Sequence, residues 1–199
     1  MNLTNYYYFW KKSLPPQWCK DVIKKGVKSE QKLGTIFGSK KDITDPKRRH
    51  STISWLNEKW IYEAIHPFIH SANKKAGWNF HWNWTQEAQF TIYKEGQYYD
   101  WHSDDYQDVL KKPLDKNENG KQRKLSVTIS LSDPEDYDGG DLEFFLPAHP
   151  SYPKNITCKE IRPQGSIVVF PSFVWHRVTP VTRGVRYSLV TWNLGNPWK

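Results

Sequence analysis

From residue 78 onward the chain is written in short stretches of period-two alternation, and this constrains the fold more than any other feature. Ala88–Tyr93 alternates, as does Leu125–Leu131 (LSVTISL), and Leu142–Leu146, Ser166–Phe170, Val174–Val178 and Val185–Trp192 follow. Turn signals separate them: Glu95-Gly96, Asp138-Gly139-Gly140, Pro163-Gln164-Gly165 and Thr179–Gly184. Many short strands broken by turns at this spacing predict a β-sandwich or barrel. The earlier part has a helical texture. Leu14–Val27 opens Leu-Pro-Pro, which a helix start tolerates, and carries Trp18, Cys19, Val22, Ile23 and Val27 on one side. Asn57–Lys75 repeats the pattern with Trp60, Ile61, Ile65, Phe68 and Ile69, and Pro67 should kink or split it. Short strands are expected near 31–38 and 48–55. The fold class is therefore mainly β with flanking helices (α+β), the helices covering one face of the β core.

Composition bounds the rest. The chain has 199 residues, enough for one domain with a proper core. Mean hydropathy is −0.81, and no stretch approaches the roughly 20 apolar residues of a membrane helix. The start, MNLTNYYYFWKK, lacks a basic n-region followed by an apolar h-region, so no signal peptide and a cytoplasmic location are expected. Two distant cysteines, Cys19 and Cys158, exclude a disulfide framework and a thiolate zinc site. The net charge of +8 is concentrated before residue 50 and in 111–124. It would suit an acidic partner such as nucleic acid, but no nucleic-acid motif accompanies it, and a solvated basic surface explains it as well. Tyr106–Arg123 reads as a long polar loop, either a solvated linker or a lid over a substrate.

The chemistry lies in Tyr99-Asp100-Trp101-His102-Ser103-Asp104. On an extended segment residues two apart point to one side, so His102 and Asp104 can reach one metal. His176, in Phe173-Val174-Trp175-His176, is the best third ligand. Two histidines and one carboxylate on one face of an octahedron are the arrangement of non-heme iron(II) oxygenases. His-x-Asp alone is weak, because a chain of this length produces it by chance. The distal half adds weight. If Thr179–Arg183 is a hairpin loop, Val178 pairs with Gly184 and His176 lies opposite Arg186, which sets a guanidinium beside the metal. A guanidinium binds a carboxylate through two parallel hydrogen bonds, so a dicarboxylic 2-oxo acid could chelate iron at one end and meet Arg186 at the other.

With these residues in place, the segment from Tyr93 through Gly96 and Tyr99 to His102 and Asp104 resembles the Tyr-x-x-Gly-x-x-Tyr-x-x-His-x-Asp signature of prolyl/lysyl hydroxylase-like 2-oxoglutarate oxygenases. Gly139-Gly140-Asp-Leu142, Gly165-Ser166, Phe170-Pro171-Ser172 and Arg186-Tyr187-Ser188 match in order and spacing. The likeness covers 86–194 strongly, and Trp18-Cys19-Lys-Asp-Val-Ile resembles the opening helix, phage-encoded members in particular. The resemblance implies one oxygenase domain over 1–199: a mixed helical support in 1–85 and a double-stranded β-helix (jelly-roll) catalytic core in 86–194. It implies iron(II) on His102, Asp104 and His176, and the 2-oxoglutarate 5-carboxylate on Arg186. Tyr93, Thr128, Ser130 and Leu142 would line the cosubstrate pocket, with Ser188 and Trp192 facing inward beside the iron. Animal oxygen-sensing relatives carry tyrosine where Ser130 stands, and many collagen-type relatives carry lysine where Arg186 stands.

The implied reaction is oxidative decarboxylation of 2-oxoglutarate with O2, giving succinate, CO2 and a hydroxylated C–H bond, with L-ascorbate as a possible reductant. The favoured substrate is a prolyl or similar side chain in a peptide or protein. The alternative is a nucleic-acid base oxygenase, which the charge suits. The repair demethylases, however, have a second arginine six positions after the first, and here that position is Trp192. A catalytically silent binding module is a third reading, opposed by the cost of burying a carboxylate beside two histidines without a metal. Trp101 and Trp175 either pack or touch substrate, and Tyr99 is expected in the core.

Overall fold

The computed structural model describes residues 3–37, 42–105, 109–111, 115–146 and 155–198. Two helices stand early in the chain, α1 (Pro16–Lys28) and α2 (Lys59–Lys75). Before and between them run β1 (Tyr8–Trp10), β2 (Lys32–Leu33), β3 (Ile36–Phe37), β4 (Asp42–Ile43), β5 (Arg49–His50) and β6 (Thr52–Leu56). After α2 come β7 (Trp84–Thr85), β8 (Ala88–Lys94), β9 (Tyr98–His102), β10 (Gln122–Ser130), β11 (Tyr137–Gly139) and β12 (Leu142–Phe145). The last four are β13 (Asn155–Thr157), β14 (Ile167–Pro171), β15 (His176–Val178) and β16 (Val181–Gly195).

Two antiparallel sheets carry the fold, as the jelly-roll expectation requires. The larger runs β1-β14-β10-β16-β8-β6-β2, with β7 and β11 also paired to β16, and the smaller runs β13-β12-β15-β9-β5. Alternation on β10 divides its faces as its sequence predicts. Leu125, Val127 and Ile129 join Cys19, Val22, Ile61 and Ile65 in the core between helices and large sheet. Ser126 and Thr128 point toward the small sheet, where Ser126 bonds Ser172 at 3.0 Å and Thr128 lines a cavity. A second cluster, with Leu142, Phe144, Val168, Phe170 and Val174, fills the space between the two sheets.

Two expectations are corrected. Pro67 does not split its helix, because α2 runs unbroken from Lys59 to Lys75. An interior proline costs about 3 kcal/mol. Ile61, Ile65 and Ile69 on the sheet-facing side are fully buried, and each such burial is worth about 1.5–3 kcal/mol. The packing outweighs the break. The β15–β16 hairpin does not exist either. Both edges of β15 are taken, His176 pairing with Phe144 on β12 and with His102 on β9. Thr179 and Pro180 instead carry the chain from the small sheet to the large one, held by Thr179 N–H to Asp141 O (2.9 Å) and Gly140 N–H to Pro180 O (3.0 Å). Arg186 pairs with Tyr93 on β8. Among the described residues no helix is long and apolar enough to cross a membrane.

Candidate metal and oxo-acid site

A cavity of about 200 Å³ opens between the sheets, with one wall from β9, β12 and β15 and the other from β8, β10 and β16. His102 ends β9, and Asp104 lies two residues beyond the strand, where the N–H groups of Asp104 and Asp105 both donate to Ser172 O (2.9 and 3.0 Å). The β9–β15 ladder shifts register here: three steps on β9 (Tyr99 to His102) match two on β15 (His176 to Val178). Such irregularities re-aim side chains next to functional sites. His102 Nδ1 sits 2.8 Å from Asp100 O and His176 Nδ1 3.0 Å from Val174 O. A carbonyl only accepts, so each Nδ1 carries a proton, and Nε2 is the nitrogen aimed inward on each ring. His102 Nε2 is 3.8 Å from one Asp104 oxygen and His176 Nε2 is 3.6 Å from the other. The ligand atoms of all three lie within 4.8 Å of one another.

The electrostatics fit a divalent cation. Burial holds the His102 imidazole well below its ordinary pKa, and the adjacent His176 adds to this, so the ring is neutral. Burial pushes the Asp104 carboxyl up, but His176, His102 and Arg123 outweigh it and the group lies below its ordinary value. A charged carboxylate therefore faces a neutral imidazole, and its Oδ2 is buried with no hydrogen-bond partner. A buried anionic oxygen without a donor is costly unless a metal takes it. Tyr99, expected in the core, packs against the cluster of Tyr93, Val178 and Val181 and also lines the cavity, where it stacks on the His102 ring with centroids 3.5 Å apart and planes at 12°.

The opposite wall holds Arg186, only 2% exposed, with Nη1 donating to Ser188 Oγ at 3.3 Å and its guanidinium 5.4 Å from the Tyr93 ring. No carboxylate lies in ion-pair range of it among the described residues. Gly140 makes the room: its φ is +61°, and a Cβ there would come within 2.8 Å of Arg186 Cδ. The His176–Arg186 association thus holds across the cavity, from facing sheets, and not along a hairpin. Tyr93, Thr128, Leu142, Ser188 and Trp192 all line the cavity. Ser130 does not; its hydroxyl is buried without a partner where β10 faces Ser188. Trp101 packs against Phe145 beneath Arg177, and Trp175 is half exposed. Neither lines the cavity. Within Tyr106–Arg123, residues 106–108 and 112–114 lie outside the described set, and the lid expectation falls there in part. The described part is tied down by Leu110 N–H to Lys121 O (3.0 Å) and Gln86 Nε2 to Glu118 (2.9 Å).

Several cavity residues carried no sequence signal that separated them, among them Arg49, Arg123 and Trp55. Arg123 lies over the Trp192 ring at 3.8 Å. Arg48-Arg49 looks like part of a basic surface, and only the pairing of Arg49 with Tyr99 brings it inside.

Residues 88–193, just over half of the chain, match the model of the 2OG-Fe(II) oxygenase superfamily. The chain belongs to this family. Its chemistry uses iron(II), 2-oxoglutarate and O2, and the buried triad fits the metal. Among curated relatives, a PKHD-type hydroxylase of Synechococcus sp. is 35% identical over 102 residues, and the PKHD-type hydroxylase YbiX of Escherichia coli is 39% identical over 107. These alignments take in 51% and 52% of this chain and 40% of each relative, so the chain spans well under half of their length. Among solved structures, a Pseudomonas putida prolyl-4-hydroxylase superposes with TM-score 0.67 at 20% identity, covering 98% of this chain and 96% of that one. The viral collagen prolyl hydroxylase of Paramecium Bursaria Chlorella virus-1, in a 2OG complex, superposes with TM-score 0.64 at 21% identity, covering 96% of both. The likeness to these two structures is one of fold.

Proposed function

We propose that the chain is an iron(II)- and 2-oxoglutarate-dependent hydroxylase acting on a prolyl or similar side chain of a peptide. The observation that carries this is the meeting, across one cavity, of a two-histidine and carboxylate triad with a buried guanidinium that has no carboxylate partner among the described residues. His102, Asp104 and His176 would hold the metal. When bound, iron(II) with 2-oxoglutarate and O2 supplies decarboxylation to succinate and CO2 and delivers one oxygen atom to a substrate C–H bond. The carbonyls of Asp100 and Val174 hold the two imidazoles in the tautomer that presents Nε2, and the Tyr99 ring keeps His102 from rotating. Arg186, steadied by Ser188, binds the 5-carboxylate through its fork, and the Tyr93 hydroxyl adds a donor. Burial pushes that phenol's pKa up, so it keeps its proton. Leu142, Val178 and Val190 keep the wall apolar and exclude water.

The oxygenase domain is proposed to span 1–199, with 1–85 supporting the core of 86–194. The free, buried thiols Cys19 and Cys158 suit a reducing compartment such as the cytosol. The test incubates the protein with iron(II), L-ascorbate and 2-oxoglutarate, with and without pools of proline-containing peptides or oligonucleotides. Succinate raised by a peptide pool supports the reading. Stimulation by oligonucleotides alone moves the substrate to nucleic acid, and no succinate under any condition leaves a catalytically silent binding module.

A further inference from the structure

We infer that the substrate carries a carboxylate, and that Arg49, in the wall of this cavity, receives it. The inference rests on the hydroxylase reading above and narrows its substrate class. Arg49 is 5% exposed and lines the same cavity as the triad. Its Nε donates to Ser51 Oγ at 3.0 Å and its Nη1 to Thr35 O at 2.8 Å, both neutral oxygens. Among the described residues, neither a hydrogen-bond acceptor for its Nη2 nor a carboxylate in ion-pair range of the side chain is found. A buried cation without a counter-charge is expensive, and the expense is met by an anion from outside.

The site is built for a fixed guanidinium. Arg49 pairs with Tyr99 on β9 and lies 4.5 Å over its ring, the ring that stacks on His102. Gly34 leaves the necessary space, because a Cβ there would come within 2.6 Å of Arg49 Nε. Of the other cationic side chains near it, Arg48 is exposed to solvent, and Lys124 and Arg123 face acids. Iron(II), Asp104, the 2-oxoglutarate dianion and Arg186 cancel as a group. Lys124 faces Asp105, and Arg123 faces Glu118. Arg49 is left over. A guanidinium buried in the wall of a cavity takes an end group. A polymer phosphodiester, which continues on both sides, needs an open groove. A carboxylate, on an acidic side chain or a free C-terminus, fits the remaining N–H groups.

The full chain is loaded with zinc(II), which is not redox-active, and with 2-oxoglutarate, whose binding is measured first by calorimetry. If 2-oxoglutarate does not bind, the hydroxylase reading itself fails. Proline-containing peptides are then titrated in four arms: glutamate side chain with amidated end, glutamine with free C-terminus, glutamine with amidated end, and a dinucleotide in place of peptide. Tryptophan fluorescence reads binding, since Trp55 and Trp192 line the cavity. The wild type is expected to bind one carboxylate arm about tenfold or more tighter than the neutral arm, and which arm wins identifies the source of the carboxylate. Arg49→Gln should reduce that ratio to about twofold or less, and Arg49→Lys, which keeps the charge, should retain about threefold or more. The inference is overturned by a wild type without carboxylate preference, including one that binds no peptide or only the dinucleotide. It is also overturned by an unchanged ratio in Arg49→Gln, or by loss of 2-oxoglutarate affinity in that variant, which would put Arg49 on the cosubstrate. If Arg49→Gln does not fold, the wild-type ratio and Arg49→Lys decide.

Discussion

The two walls of the cavity are built by opposite means. The wall with the triad belongs to a sheet of short strands, two to five residues each, and the three residues stand where the ladder is broken: at the end of β9, just past that end, and beside a register shift. The wall with Arg186 belongs to β16, which runs 15 residues and keeps continuous register with β8 from Val185 to Val190. Along it Arg186, Ser188, Val190 and Trp192 enter the cavity by strict alternation. Metal ligands need converging directions that a regular strand does not supply. A carboxylate-binding wall needs only a row of side chains on one face. The triad wall is therefore held by individual hydrogen bonds to carbonyls, and the Arg186 wall by the pleat.

If that contrast is right, damage to the two walls separates. The largest effect is expected from the triad: Asp104→Ala or His176→Ala should weaken iron(II) binding by more than the 10–100-fold that loss of a mere supporting group costs, roughly beyond 100-fold. Equilibrium dialysis against iron(II) without oxygen checks this, and near-normal binding by either variant would remove the residue from the metal. Arg186→Ala comes next. It should raise the 2-oxoglutarate requirement by roughly 30-fold or more, the cost of truncating one partner of a buried charge pair, and leave iron(II) affinity within about threefold. A calorimetric titration in which metal and oxo-acid binding fell together would erase the separation of the walls.

A smaller effect is expected at the crossing point. Gly140→Ala adds a Cβ 2.8 Å from Arg186 Cδ at a φ of +61°. The backbone strain costs about 1–2 kcal/mol. The melting temperature should drop and 2-oxoglutarate affinity should weaken severalfold, and a variant indistinguishable from wild type in both would mean that Arg186 is not held by this fit. The smallest effect concerns local opening. Burial pushes the Cys19 thiol up to about 11 and Cys158 to about 12, so neither should react with iodoacetamide at pH 8 in the folded protein. Cys19 sits in the large core, on the buried side of α1, and Cys158 in the smaller cluster between the sheets. In mild denaturant Cys158 should label first, and the reverse order by peptide mass mapping would make the small-sheet side the firmer one.

The same contrast explains what the sequence made legible. Period two reveals the Arg186 wall directly: Thr128, Ser188 and Trp192 are where alternation puts them. The triad wall was legible only as a motif, since no periodicity says that Asp104 lies beyond its strand. The relation between the walls was misread. Val178 and Gly184 flank an apparent turn, but Pro180 offers no N–H for a ladder and β12 and β9 already occupy both edges of β15. Pro67 looked like a break because local propensity does not count the isoleucines beneath it. Ser130 follows the alternation yet stops short of the cavity, because the pocket ends before the strand does. Arg49 was invisible because its environment comes from partners 50 residues away in the chain, at Tyr99.

The central claim is that one iron(II) and one 2-oxoglutarate share this cavity, gripped from opposite walls. Its most direct test is an anaerobic titration of the iron(II)-loaded protein with 2-oxoglutarate, followed by the visible charge-transfer absorbance of the chelate. Saturation at one equivalent per chain is predicted, with the band lost in His176→Ala and its half-saturation shifted to much higher 2-oxoglutarate in Arg186→Ala. Absence of the band in the wild type, or its persistence unchanged in both variants, would contradict it.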